Sequence, residues 1–200
     1  MRADVYAASG VWHNLLKPRR DHVINRLAVF GHGCALVLAA VGLRPLAAQS
    51  GADSVQTATL EKVEAVIATY EPAREIRWYR AGNPFDLDGF YDKGLHWSSR
   101  FEVYITVTHQ ATIWLRVYPQ YYGHHINLNR VHDPNGLMRQ MLRSSYHNFF
   151  FWGLDDALDA FAGYQFTLES GFPEDAMKEV IKSIPLIDES VGDLTPFIVR

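Results

Sequence analysis

Six of the nine histidines, His96, His109, His124, His125, His132 and His147, crowd the central stretch of the chain. Imidazole both ligates zinc or copper and changes charge near neutral pH, so this cluster is the first place to look for chemistry. His124 and His125 are adjacent and would point to opposite faces of an extended segment, so at most one of them joins His109 or His132 in a ligand set. Surface or loop histidines hydrogen-bonded near a sheet edge explain the same residues, and no metal ligand is assigned on spacing alone. Asp86-Leu87-Asp88-Gly89, with Asp92 beyond, opens like a calcium loop but lacks the later Glu that closes one; turn chemistry is the simpler reading. Asp155, Asp156 and Asp159 could share acid/base work if one were desolvated beside another, yet their setting reads as a solvated hairpin tip.

Aromatic residues offer a different chemistry. Tyr118-Pro119-Gln120-Tyr121-Tyr122-Gly123 sets three tyrosines around a proline at a strand exit, and Trp114 lies just upstream. Large rings with polar tips suit rigid contact surfaces, so Trp114, Tyr118, Tyr121 and Tyr122 are the candidate partner-binding residues; capping the end of the core is the competing role. Phe149-Phe150-Phe151-Trp152 is more apolar than a half-exposed strand requires and reads as a doubly covered strand or a dimer edge.

Several kinds of catalysis lack their residues. There is no Gly-x-Ser-x-Gly elbow to raise a serine above a sheet, no His-Glu-x-x-His pair and no Gly-rich phosphate cradle. No catalytic residue and no cofactor is therefore assigned. Lys17, Arg19, Arg20 and Arg26 precede the uncharged run Leu27–Leu43, and Arg44-Pro45-Leu46-Ala47-Ala48-Gln49 supplies a helix breaker and small residues. Residues 1–48 are expected to be an export signal cleaved near Ala48, which places the protein in the periplasm or outside the cell. An uncleaved membrane anchor and an internal core helix are the alternatives. Cys34 is the only cysteine and falls inside that segment, so the mature chain would hold no thiol or disulfide.

Without residues 1–48, thirteen basic face twenty acidic side chains, net −7 against −3 for the whole chain. That balance argues against a nucleic-acid partner. Residues 155–200 hold ten acidic and three basic residues, so one end should be electronegative.

The elements that must position these residues follow from periodicity. Residues 49–57 are small and polar, a flexible lead-in to a domain over 58–200. Leu60, Val63, Ile67 and Tyr70 predict an amphipathic helix that stops before Pro72. Ile76 to Tyr79 predicts a short strand, followed by a loop of about a dozen residues. Alternation over Arg100–Thr108 and again from Thr112 to Pro119 predicts an antiparallel hairpin. Leu137, Met138, Met141, Leu142 and Tyr146 predict a helix with these residues along one side. Phe149 to Trp152 and Tyr164 to Leu168 predict a second hairpin around the acidic turn. Pro173 opens a last helix, through Ile184, that Pro185 kinks or ends. The fold class is α+β, an antiparallel sheet of about five strands with helices packed on it, in the order α-β-β-β-α-β-β-α.

That order, with the helix end Leu142-Arg143-Ser144-Ser145-Tyr146, the run Phe151-Trp152-Gly153-Leu154-Asp155-Asp156, the strand Tyr164–Leu168 and the Pro173 helix, resembles the type III secretion chaperone-like fold and the YbjN domain family of bacterial sensory-transduction regulators. The family's usual Leu-Asn at that helix end stands here as Arg143-Ser144. The resemblance implies a non-enzymatic domain that pairs with itself or with a protein partner, meeting a membrane only if the N-terminal segment is retained. A small metal-binding or hydrolytic envelope protein using the central histidines is the alternative.

Overall fold

The computed structural model describes residues 46–80, 82–110 and 112–198. The basic segment Lys17–Arg26, the apolar run Leu27–Leu43 and Cys34 lie outside the described residues, and the outcome of the export reading is left to them.

Helix α1 (Leu46–Thr69) begins earlier than periodicity indicates and carries residues 49–57 as helix rather than as a lead-in; Ala48 lies in its first turn. The reason is partly tertiary. Gln56 is buried and its amide donates to the Val107 carbonyl at 2.8 Å, an anchor that hydrophobic spacing does not register. Pro72, which lacks an N–H, falls in the tight 3-10 turn Glu71–Glu75 where the helix stops.

Strands β1 (Arg77–Arg80), β2 (Asp86–Tyr91), β3 (Arg100–Thr108), β4 (Thr112–Tyr121) and the two-residue β5 (His124–His125) precede helix α2 (Pro134–His147). Strands β6 (Phe151–Leu154) and β7 (Ala160–Thr167), then helices α3 (Glu174–Lys182) and α4 (Ile187–Ile198), complete the chain. The α+β class and the antiparallel sheet are as expected, but the sheet has seven strands rather than about five. Its order is β1-β2-β3-β4-β7-β6 with β5 paired to β4, and every pairing is antiparallel.

β2 is one of the two additional strands, lying where a loop was expected. Its Asp-Leu-Asp-Gly sequence has turn composition, yet Leu87, Gly89 and Tyr91 alternate inward. A Cβ on Gly89 would fall 2.7 Å from Ile76 and 2.9 Å from Trp78, so glycine is what lets the side chains of Ile76, just before β1, and Trp78 of β1 lie across β2.

Phe101, Val103, Ile105, Ile113, Leu115 and Val117 of the central hairpin are fully buried. They meet Leu60, Val63 and Val66 of α1, Leu137 and Met141 of α2, Met177, Val180 and Ile181 of α3 and Val191 and Leu194 of α4 in one continuous core. Each such side chain contributes about 1.5–3 kcal/mol by leaving water. The helices thus lie on one face of the sheet, and on the other the alternate residues of β2, β3 and β4 are half-buried except Tyr118 and Gln120, which are buried.

The last helical region is two helices, not one kinked at Pro185. α3 ends at Lys182, Pro185 sits in the 3-10 turn Ile184–Leu186, and α4 resumes. α4 contains Gly192 and Pro196, poor helix formers, but tertiary contacts hold it. The buried Asp188 carboxylate accepts the backbone N–H groups of His96, Trp97 and Ser98 at 2.5, 3.0 and 2.8 Å. Gly192 leaves room for the Trp97 indole, which a Cβ there would meet at 2.6 Å.

Candidate functional site

The helix-free face of the sheet carries a connected polar network. β3 and β4 pair Glu102 with Tyr118 and Tyr104 with Arg116, so these four side chains stand together on that face. β4 then turns back through Tyr122 and Gly123, whose φ angles of 49° and 79° fit the type I′ turn that a right-twisted hairpin favours. The return strand pairs His125 with Gln120. Beyond it, the chain is stitched to the β6–β7 turn: Asn127 bridges to Asp159, Leu128 N–H donates to the Leu158 carbonyl and Ala160 N–H to that of Ile126. Asp155 Oδ1 accepts the N–H groups of Ala157 and Asp159, shaping that turn.

These connections fix an imidazole between two carboxylates. His125 Nε2 lies 3.1 Å from Glu102 Oε2 and its Nδ1 3.3 Å from Asp159 Oδ2. Glu102 also accepts the Tyr104 hydroxyl at 2.8 Å and the Gln120 amide at 2.6 Å, while Asn127 donates to Asp159 Oδ1 at 2.7 Å. With both ring nitrogens engaged, the doubly protonated ring donates to both carboxylates at once and the neutral ring to one. Here His125 acts as a clip between the sheet and the 155–159 turn.

A pocket of about 200 Å³ opens beside the clip, lined by Tyr104, Arg116, Tyr118, His125, Asp155 and Asp159. Burial, then the bond to Glu102, holds the Tyr104 phenol well above its ordinary pKa; burial also raises Tyr118, opposed by Arg116 and reinforced by Asp155. Both phenols therefore stay protonated at neutral pH, with the Tyr104 proton committed to Glu102. Arg116 makes a long 3.5 Å contact from Nη2 to Thr106 beside its interaction with Tyr118, and its Nε is buried without a partner.

Aromatic rings continue away from the pocket. Tyr104, Tyr118, Phe161, Phe151 and Trp114 follow one another with centroid separations of 5.3, 5.5, 6.0 and 5.9 Å. Gly153 and Gly163 form their floor: a Cβ on Gly153 would meet Phe161 at 2.8 Å, and one on Gly163 would meet Phe151 at 2.6 Å.

The four aromatic candidates therefore separate. Trp114 and Tyr118 belong to this row, and Tyr118 is buried rather than presented, at 6% exposure. Tyr121 and Tyr122 form a pair of their own at the β4–β5 hairpin, 4.5 Å between centroids, with Tyr122 78% exposed at the tip. The histidines scatter: His96 meets Trp97 edge to face, His132 Nδ1 lies 2.8 Å from the Phe197 carbonyl, and His109 and His124 are exposed. Among the described residues no group of three or more His, Cys, Asp or Glu could hold a metal ion. Asp86 and Asp88 stand on a strand, not a turn. Of the three aspartates of the acidic turn, Asp156 is exposed; Asp155 and Asp159 are half-buried, which corrects the solvated-tip reading. Glu102 and Arg116 were not singled out in the sequence, although their alternation with the apolar residues of β3 and β4 already placed them opposite the core.

A second surface lies on α2. Asp133 caps this helix by accepting Gly136 N–H at 2.9 Å. The five apolar residues expected along one side divide: Leu137 and Met141 are buried, whereas Met138, Leu142 and Tyr146, four apart, are 36%, 69% and 86% exposed. Phe149, 52% exposed, extends the stripe toward β6. β6 is an edge strand, partly sealed because Trp152 N–H donates to the Ser145 hydroxyl of α2 at 2.7 Å. No helix among the described residues is long and apolar enough to cross a membrane.

Comparison with known protein families, with curated proteins and with solved structures finds no match to this chain.

Proposed function

We propose that this chain is an exported, YbjN-like, non-enzymatic binding and regulatory domain that acts through protein–protein contacts, with the exposed face of α2 as its contact surface. The observation that carries this reading is the stripe Met138, Leu142 and Tyr146, large apolar side chains four apart along a capped helix and left in water, continued past the helix end by Phe149. A helix face of this kind meets its partner through anchors at i, i+4 and i+8. The succession of helix, antiparallel strands, helix, hairpin and C-terminal helices supports the family resemblance.

Charge narrows the partner. Arg139 and Arg143 flank the stripe and α2 contains no acidic residue, so a partner presenting apolar residues among carboxylates is favoured, and a second α2 would set arginine against arginine.

The test is photocrosslinking in the native host, with a benzophenone amino acid at Leu142 and, as a control, at the exposed Lys182. The reading expects a discrete adduct with another protein from Leu142 only, suppressed by Met138→Asp. An adduct of two copies of the chain would assign the stripe to self-pairing, and absence of any adduct at Leu142 would remove α2 as the working surface.

A further inference from the structure

We infer that the pocket on the helix-free face binds a small zwitterion carrying a carboxylate and an ammonium, the chemistry of a free α-amino acid. This site is separate from the α2 surface and stands or falls independently of it.

Arg116 and Asp155 line the same opening yet form no ion pair with each other. The guanidinium has no carboxylate partner among the described residues; its Nε is buried and unpaired, and it is engaged by the long bond to Thr106 and by the neighbouring Tyr118 phenol, both neutral groups. A planar fork in that condition suits a carboxylate, which can accept two parallel N–H bonds. Lining the same cavity, Asp155 spends Oδ1 on the backbone and is hydrogen-bonded with Tyr118, and Asp159 is held by Asn127 and His125, so two fixed carboxylates border it. A ligand with one charge of each sign satisfies both walls, whereas an anion alone would leave the carboxylates opposed and a cation alone would leave Arg116 unpaired.

The Tyr104 and Tyr118 rings complete the lining; aromatic faces accept an ammonium, and the Tyr104 hydroxyl, committed to Glu102, leaves Tyr118 as the phenol able to donate to a ligand. A volume of about 200 Å³, roughly that of six or seven liquid waters, admits an amino acid. The His125 clip and the Asn127–Asp159 bridge hold the walls in place before any ligand arrives, which limits the entropy cost of binding.

Titration calorimetry on the purified full-length protein tests this with each of the twenty amino acids, and with ethylamine and propionate as the two halves of alanine. At least one amino acid should bind with a Kd below about 1 mM, and neither half-molecule should bind within about tenfold of that affinity. Arg116→Gln should weaken binding by about tenfold or more with an unchanged far-ultraviolet spectrum, and Leu142→Ser should leave it unaltered. If Arg116→Gln does not fold, Tyr118→Phe, which removes one hydroxyl, should cost about threefold or more. No binding by any amino acid at about 10 mM, or binding indifferent to both pocket substitutions, would overturn the inference.

Discussion

Glu102→Ala examines the clip most directly. The carboxylate is the shared acceptor for the Tyr104 hydroxyl, the Gln120 amide and the His125 ring, and its side chain is only 15% exposed. Removing it orphans three donors. Gln120 is buried and bears the larger desolvation cost, whereas Tyr104 and His125 border the pocket, where water can replace the lost bond. Orphaned buried donors cost about 1–3 kcal/mol each, and discounting the two pocket-side groups gives a total of about 3 kcal/mol. For a chain of this size that corresponds to a fall in Tm of about 6–12 °C. Glu102→Gln keeps the shape and one acceptor oxygen and should cost about half as much. Urea unfolding followed by tryptophan fluorescence measures both. A second readout is specific to the site: Tyr104 is raised by burial first and by Glu102 next, so the alanine variant should ionise one phenol at lower pH than the parent in an ultraviolet titration. A loss below about 1 kcal/mol together with an unchanged phenol titration would show that Glu102 does not organise the face.

Asp188→Ala should cost about 3 kcal/mol or more, because three backbone N–H groups lose a charged acceptor; amide exchange should show His96, Trp97 and Ser98 losing protection before the rest of the chain. Tyr122→Asn should stabilise by about 0.5–1 kcal/mol in thermal melts, since Tyr122 occupies a positive φ that asparagine tolerates and an Asn-Gly pair favours; a loss instead would mean that the Tyr121 ring contact holds the turn. Asp88 has a raised pKa, chiefly from burial and then from Asp86 and Glu102. A folded-state pKa above the unfolded one means that the folded form binds the proton more tightly, so this contribution is complete below the ordinary value of 3.8 and is lost as pH rises through the folded pKa. Asp88→Asn should therefore gain more stability over the parent at pH 7 than at pH 3, as compared by urea midpoints; an equal change at both would refute the assignment.

What the residues determined by themselves was the periodic part of the protein. Phe101, Val103, Ile105 and Val107 alternate with polar neighbours, and only a strand with one buried face satisfies that pattern. The second hairpin, the Pro72 stop and the amphipathic character of α2 and α3 follow from equally local rules. Tertiary structure decided everything that depends on a partner distant in sequence. β2 is a strand although it is spelled Asp-Leu-Asp-Gly, because β1 and β3 supply its hydrogen bonds from both sides. α4 is a helix despite Gly192 and Pro196, because Asp188 and Trp97 secure it from a loop some ninety residues earlier. The functional surfaces belong to this second class. Which apolar residues of α2 face water was set by where the helix sits beside β6. His125 became a clip, while five other central histidines did not join it, only because the hairpin register and the 155–159 turn brought Glu102 and Asp159 to its two nitrogens. Local spacing constrains side-chain direction along one element; the meeting of charges from four segments is set by the packing that closes the fold.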